Sequence, residues 1–263
     1  TMTERAIATK KGFIITSGTT SSGKSTTNSK IIGDIKKKHD GWSVATVEDP
    51  IEYRIPGVTQ LIVNSSIVDD KDASGAEKAA LAFNGQLNSL MRQDPDVVGV
   101  GEIRDETTAK LILKLVDTGH KAISTIHADS ALYTIDRLVN IGLDRDTLCR
   151  PGFFALINYQ VLLPTPCKAC SGLAMDSNLI SSEKKRALVN VLGPLAKDVK
   201  VASKDGCGKC KSGFKGMSAC SEMVIPDLQL CQFLRQKDYV GAMRYWKTEM
   251  PTTDSKASFQ GRT

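Results

Sequence analysis

The stretch GFIITSGTTSSGKSTTNSK, residues 12–30, decides how this chain folds. It begins as a compact apolar run, passes through G-x-x-x-x-G-K-[ST] at residues 18–25, and continues as a helical pattern from Lys24. Strand, small-residue loop and helix in that order make a phosphate-binding loop. Small side chains let successive backbone N–H groups point at one anion at a helix N-terminus. Lys24 is placed to reach β- and γ-phosphate oxygens, and the Ser25 hydroxyl to join a magnesium shell. Thr19, Thr20, Ser21 and Ser22 are less permissive than glycine, so Gly18 and Gly23 are expected to supply most of the backbone freedom. ATP and Mg2+ are thus the expected ligands of the segment from Gly18 to Thr26. A chance match in a Ser/Thr-rich loop is the competing reading, but it does not account for the flanking elements.

Working outward, short apolar runs alternate with helical patterns up to about Leu163. WSVATVEDP reads as a second strand stopped by Pro50, and VVGVGEI as a third. KAISTIHA is a fourth, followed by the pattern DSALYTIDRLVNIG, whose helix is expected to be capped by Asp129 or Ser130. GAEKAALAFNGQLNSLM spaces Phe83, Leu87, Leu90 and Met91 at helical intervals, and DETTAKLILKLVDTG begins with Asp105 as a natural N-cap. This alternation predicts an α/β fold with a mainly parallel sheet covered on both faces. After Leu163 the pattern breaks at PTPCKACSG, and the chain resumes with a polar stretch, DGCGKCKSGFKG and two helical patterns. The tail from residue 251 reads as frayed. The expected domains are 1–163, a nucleotide-binding core; 164–216, a cysteine-bearing subdomain; and 217–263, a helical region and tail.

The usual second nucleotide motif is an apolar strand closed by Asp-Glu. In DVVGVGEIRD, Gly101 stands where the Asp would be and only Glu102 remains. Asp96, six residues earlier, is about 20 Å away along a strand and cannot replace it. Glu102 ends the strand at the edge where parallel sheets bind ligands, placed to orient or deprotonate an attacking water. The missing carboxylate is expected from TVEDPIEY, where Glu48, Asp49 and Glu52 bunch at the exit of another strand and can hold a magnesium with its waters. A solvated acidic turn is the bland alternative. On this reading an Asp restored at position 101 would not improve catalysis. His127 follows the fourth strand at the same edge, within reach of a γ-phosphate or Glu102, and His120, which precedes that strand, is a further candidate for the nucleotide site.

Together the phosphate loop, TVEDPIEYRIPGVTQ, LMRQDPDVVGVGEIRDETTA and TGHKAISTIHADSA resemble the secretion ATPase superfamily, in particular assembly ATPases of type IV pili and type II secretion. The resemblance covers nearly the whole chain. It implies a RecA-like ATPase core and a homo-oligomeric ring, usually a hexamer, whose ATP turnover drives type IV pilus extension, with type II secretion as the alternative. It also implies a cytoplasmic location with peripheral association at the inner membrane, and a membrane platform protein as partner. Its Gly-Glu motif and acidic box agree with the reading of Glu102 and Glu48 made from the residues. Family members are usually longer, with N-terminal domains that supply arginines to the nucleotide. GTTSSGKST departs from the commoner Gly-rich loop and suggests a divergent branch.

Cys167-x-x-Cys170 and Cys207-x-x-Cys210 are separated by 36 residues. Two such knuckles complete a closed tetrahedral zinc site, and the resemblance supports this, because the pilus-assembly and type II branches carry a tetracysteine unit. A redox pair is the rival, yet neither pair follows a strand and opens a helix. Seven cysteines without a signal peptide argue for a reducing compartment rather than a disulfide framework. No run reaches 18 apolar residues, so no membrane span is expected. Residues 1–163 hold 19 Lys and Arg against 20 Asp and Glu, and residues 164–263 hold 16 against 9. The basic excess therefore lies entirely in the last hundred residues, where Lys209, Lys211 and Lys215 surround the second knuckle and suit contact with the platform or anionic lipid. Scattered solvated charge is the plain alternative. A nucleic-acid translocase or zinc-containing DNA-binding protein is a further class, but no aromatic-interleaved basic groove or recognition-helix pattern supports it.

Overall fold

The computed structural model describes residues 1–64 and 74–250. The expectation about the tail from residue 251 falls outside them. The first helix, α1 (Met2–Ala8), opens on a capping box between Thr1 and Glu4 and buries Met2, Ala6 and Ile7 on one face. Then β1 (Gly12–Ser17), every residue of which is buried, leads through the phosphate loop into α2 (Lys24–Lys38). Next come β2 (Val44–Glu48), β3 (Thr59–Ile62) and α3 (Gly75–Met91). They are followed by β4 (Val97–Glu102), α4 (Glu106–Asp117), β5 (Lys121–Ile126), α5 (Tyr133–Ile141) and α6 (Arg145–Leu148).

Beyond α6 lie β6 (Phe154–Pro166), β7 (Gly172–Leu173), α7 (Ser182–Leu192) and a 3-10 helix (Gly193–Asp198). The last elements are β8 (Lys200–Val201), β9 (Phe214–Val224), α8 (Leu228–Arg235) and α9 (Tyr239–Thr248). The main sheet has the order β3-β2-β4-β5-β1-β6-β9, and the pairs β2/β3, β2/β4, β4/β5, β1/β5 and β1/β6 are all parallel. Parallel strands bring their C-terminal ends to one edge, so the loops after β1, β2, β4 and β5 converge there. Two apolar clusters flank the sheet. One packs Ile31, Ile32 and Ile35 of α2 and the buried face of α1 against Ile14, Val97 and Ile123. The other packs Leu87, Leu90, Ile112, Leu115 and the C-terminal helices against Val98, Val100, Ala122 and Ile126.

The chain divides into two compact units, one of Thr1–Val161 together with the chain from Cys220 onward, the other Leu162–Ala219. Residues 220–250, α8 and α9 included, therefore belong with the nucleotide-binding core, where Leu230, Leu234, Tyr245 and Trp246 join the larger cluster. The cap of α5 is not the one expected: the N-cap is Leu132, while Ser130 Oγ accepts from Tyr133 N at 3.2 Å. Leu132 and Ala131 are buried, and their packing fixes the first turn where a side-chain cap would otherwise do so.

Lys121, at the start of β5, is fully buried and donates to the Ala6 carbonyl at the end of α1 and to Thr9 Oγ1 at 3.0 Å. A cation there complements a helix C-terminus. Burial nevertheless pushes the amine down to about 8. A lysine whose folded pKa lies below its unfolded value is protonated in the unfolded chain and neutral in the folded one between those limits. Its contribution to stability thus rises with pH from about 8 to 10.5 and is flat below. The difference in unfolding free energy between the parent and Lys121→Met, measured by urea titration, should grow with pH across that window by on the order of 1 kcal/mol per pH unit. A difference independent of pH from 7 to 10.5 would contradict the burial argument.

Candidate functional site

The phosphate loop runs from β1 to α2 with Gly18 at φ 148° and Gly23, the N-cap of α2, at φ 83°. Gly18 is also required by space: a Cβ there would stand 2.3 Å from the Gln160 carbonyl oxygen. Ser21 adopts φ 60°, so a non-glycine residue shares the left-handed geometry that the glycines were expected to carry. Gln160, buried on β6, holds the loop from behind. Its Nε2 donates to the Ser22 carbonyl at 2.6 Å, and its Oε1 accepts from Thr27 Oγ1 at 2.8 Å. Its signal in the sequence is the pair Asn158 and Gln160, two apart in the otherwise apolar run FALINYQVLL, the mark of a buried polar device. Lys24 Nζ donates to the Gly18 and Thr19 carbonyls at 3.0 and 2.9 Å. Desolvation holds this amine below its usual range, with the Glu102 charge acting in the opposite sense.

A cavity of about 550 Å³ opens at the C-terminal sheet edge. Thr20, Ser21, Lys24 and Ser25 line it from the loop; Glu48, Asp49 and Glu52 from the exit of β2; and Glu102 and His127 from β4 and β5. The loop and the acidic box, far apart in sequence, thus face one space. Glu48 Oε1 accepts from Thr46 Oγ1 at 2.6 Å and from Gln60 Nε2 at 3.0 Å. Neutral donors orient that carboxylate and leave its charge uncancelled. Glu102 sits between two bases, with His127 Nε2 3.0 Å from Oε1 and Arg104 Nε 2.8 Å from Oε2. Thr26 turns to Tyr53, its hydroxyl 3.0 Å from the phenol oxygen, outside the cavity lining.

His120 is not brought to this space. It lies at the opposite end of β5 from His127, where its ring meets Thr118 Oγ1 at 2.8 Å and Asp94 Oδ1 at 3.2 Å. Six residues of β5 separate the two histidines, about 20 Å, so His120 cannot share a ligand with His127. Asp96 is also at that far edge, bound to Lys10 and the Ser43 amide.

The register of β4 explains Glu102. Val100 pairs with Ser124, yet Glu102 pairs with Thr125, so Gly101 is an extra residue in a β-bulge. Were Gly101 paired regularly with Thr125, alternation would set Glu102 opposite Ile126, on the face covered by α3 and α4. The bulge moves it to the face of Thr125 and Ile123, which is the side of α2 and the phosphate loop.

The four sulfurs of Cys167, Cys170, Cys207 and Cys210 lie within 4.8 Å of one another. Cys170–Cys210 and Cys207–Cys210 are each 3.7 Å and Cys167–Cys207 4.0 Å. These separations are too long for disulfides and close to the roughly 3.8 Å edge of a tetrahedron with 2.3 Å metal–sulfur bonds. The Cys207 amide donates to Cys210 Sγ and draws that thiol down to about 7. Desolvation and the neighbouring sulfurs push Cys170 up to about 12. Four sulfurs this close cannot all ionise unless a cation stands between them, so the donor set fits a metal.

The fold and this edge define a phosphate-loop nucleotide-binding α/β domain. The family described as Type II/IV secretion system protein matches residues 1–262, and the chain belongs to that family. It is 34% identical over 217 residues to the type II secretion system protein E of Aeromonas hydrophila, covering 82% of this chain and 39% of that protein. It is 32% identical over 228 residues to the type IV pilus assembly ATPase PilB of Pseudomonas aeruginosa, covering 85% of this chain and 36% of that protein. The chain thus spans well under half the length of these curated relatives. Among solved structures, the pilus retraction motor PilT with bound ADP has a TM-score of 0.60 at 24% identity, covering 92% of this chain and 55% of that one. The Legionella pneumophila ATPase DotB has 0.59 at 20%, covering 97% and 58%. Both share the fold.

The geometry separates two glycines. Gly18→Ala, with its Cβ forced against the Gln160 carbonyl, should lower the unfolding free energy by about 2 kcal/mol or more. Gly101→Ala, whose Cβ would meet nothing closer than 3.6 Å, should change it by under about 1 kcal/mol. Urea titration of both variants distinguishes a glycine required by close packing from one that is not.

Proposed function

We propose that this chain is the ATP-hydrolysing motor domain of a type IV pilus assembly or type II secretion machine. The single observation that carries the reading is the convergence of Lys24, Glu48 and Glu102 on one cavity at the sheet edge. On this reading Lys24 and the loop amides hold the β- and γ-phosphates, with Ser21 and Thr20 shaping the approach. Ser25, Glu48, Asp49 and Glu52 supply the hard oxygen donors a magnesium ion takes, and when bound that ion would neutralise charge developing on the phosphates. Glu102 orients and deprotonates the attacking water, and His127 keeps its carboxylate turned to the cavity.

The curated relatives named above come from both machines at nearly equal identity, 34% and 32%. Pilus extension is the reading carried from the sequence, and type II secretion is its alternative. As in that family, the working state is taken to be a cytoplasmic homo-oligomer, a hexamer, docked peripherally on an inner-membrane platform protein. Exposed Lys209, Lys211 and Lys215 are candidate contacts, and reversal of the three charges in cells tests them.

Lys24→Ala should lower ATP hydrolysis by roughly 100-fold or more through loss of phosphate binding. Glu102→Gln should retain nucleotide while losing a comparable factor in turnover. Both are read by phosphate release and by fluorescent-nucleotide titration. Cells carrying Lys24→Ala should lose either piliation or secretion, and which one is lost names the machine. Hydrolysis unaffected by both substitutions would sink the assignment.

Zn2+ is proposed as the ligand of Cys167, Cys170, Cys207 and Cys210. Mercurial titration of the purified protein, followed by a metallochromic dye, should release about one equivalent per chain. A Cys207→Ser variant should release far less. Metal-free protein with oxidised cysteines would favour the redox alternative.

A further inference from the structure

Thr125 grips the bulge of β4 from both sides. Its hydroxyl donates to the Gly101 carbonyl at 2.8 Å, and its own carbonyl accepts from the Ile103 amide at 2.9 Å. It is 5% exposed, lines the cavity, and is the residue paired with Glu102 across the two strands. The extra residue of a bulge is left out of the regular ladder, and the Thr125 hydroxyl gives its part-buried carbonyl a partner, so the hydroxyl completes the bulge rather than decorating it. His127 and Arg104 touch the Glu102 carboxylate, but neither decides on which face of the sheet it emerges; the extra residue does.

We propose that Thr125 is the positioning residue for Glu102, holding the Gly101 bulge so that the carboxylate stands on the phosphate-loop face. This rests on the hydrolase reading. Thr125 itself touches no reacting atom. Its loss should allow β4 to relax towards regular pairing and swing Glu102 away from the water, while the phosphate loop, the acidic box and hence nucleotide affinity stay as they are.

Steady-state ATP hydrolysis by purified protein tests this with three substitutions. Thr125→Val keeps the β-branched shape without a donor, Thr125→Ser keeps the donor, and Thr125→Cys offers a weaker one. Thr125→Val should lower kcat by about tenfold or more with KM for ATP within about twofold. Thr125→Ser should remain close to the parent and Thr125→Cys fall between. Because Thr125 acts through Glu102, Thr125→Val added to Glu102→Gln should reduce the residual rate no further. The proposal is overturned if kcat of Thr125→Val stays within about twofold of the parent or if Thr125→Ser is as slow as Thr125→Val. It is equally overturned if Thr125→Val cuts the Glu102→Gln rate by the factor it cuts the parent's. A parent protein that does not hydrolyse ATP overturns the functional reading and this proposal with it. A hydrolysing parent with an unaffected Thr125→Val overturns only the proposal.

Discussion

Side chains on a strand alternate between faces, and this parity governs what the sheet edge can present. On β2, parity puts Thr46 and Glu48 on the α2 face, and on β5 it puts Ile123 and Thr125 there. On β4, Val98 and Val100 belong to the opposite cluster, and two further residues along the strand Glu102 would belong there too. One extra residue changes that. The bulge at Gly101 reverses the parity of the last position without disturbing the buried valines before it, and the carboxylate emerges beside Lys24. The expected Asp is absent from a position that the bulge has taken out of the regular ladder. Glycine is not dictated there by crowding, since a Cβ would meet only Val47 O at 3.6 Å and Glu48 Cα at 3.7 Å. At Gly99 it is: a Cβ would stand 2.7 Å from the Thr46 methyl.

The carboxylates around the cavity stand in different company, and this difference supports different tasks. Glu48 is oriented by a hydroxyl and an amide, which fix its direction and leave its negative charge available to a cation. Glu102 is flanked by an imidazole and a guanidinium, which hold both of its oxygens. On the proposed reading, environment separates carboxylates of the same chemistry into a metal holder and a proton handler. Lys24, partly desolvated and donating to the Gly18 and Thr19 carbonyls, lines the same cavity as these carboxylates.

Features with local physical causes were legible in the sequence. The loop between β1 and α2, the Asp105 cap of α4 and the exits of β2, β4 and β5 all follow from short-range spacing. The acidic box and Glu102 could be placed at one edge because parallel topology follows from strand-helix alternation. Features that depend on register or distant packing were not legible. A bulge leaves no mark in VVGVGEI, because only pairing with β5 shows that Gly101 is supernumerary. Long β6 and β9 lacked clean alternation: β6 is buried on both faces at its start, and the outer part of β9 is exposed on both. The helix α1 is not legible because its short apolar face gains meaning only from packing on α2 and the sheet, and its last carbonyls only from Lys121, over a hundred residues later.

The cysteine-bearing unit presents the opposite physical problem from the core. Among the described residues of Leu162–Ala219, the buried apolar side chains are Cys167, Ala174 and Ala196, while Leu179, Val189, Val191 and Leu195 remain exposed. Burial of so little apolar area cannot order some sixty residues against their conformational entropy. The helix α7 buries none of its side chains. What holds the two knuckles together must be something other than a hydrophobic core. The backbone does part of it: the Cys167 amide donates to the Gly213 carbonyl, and Gly213 is so closely packed that a Cβ would stand 2.1 Å from the Ser203 carbonyl oxygen. Those contacts order the loops but leave four thiols in mutual contact. On the proposed reading the metal supplies the missing cohesion, because binding free energy at a site absent from the unfolded chain is folding free energy.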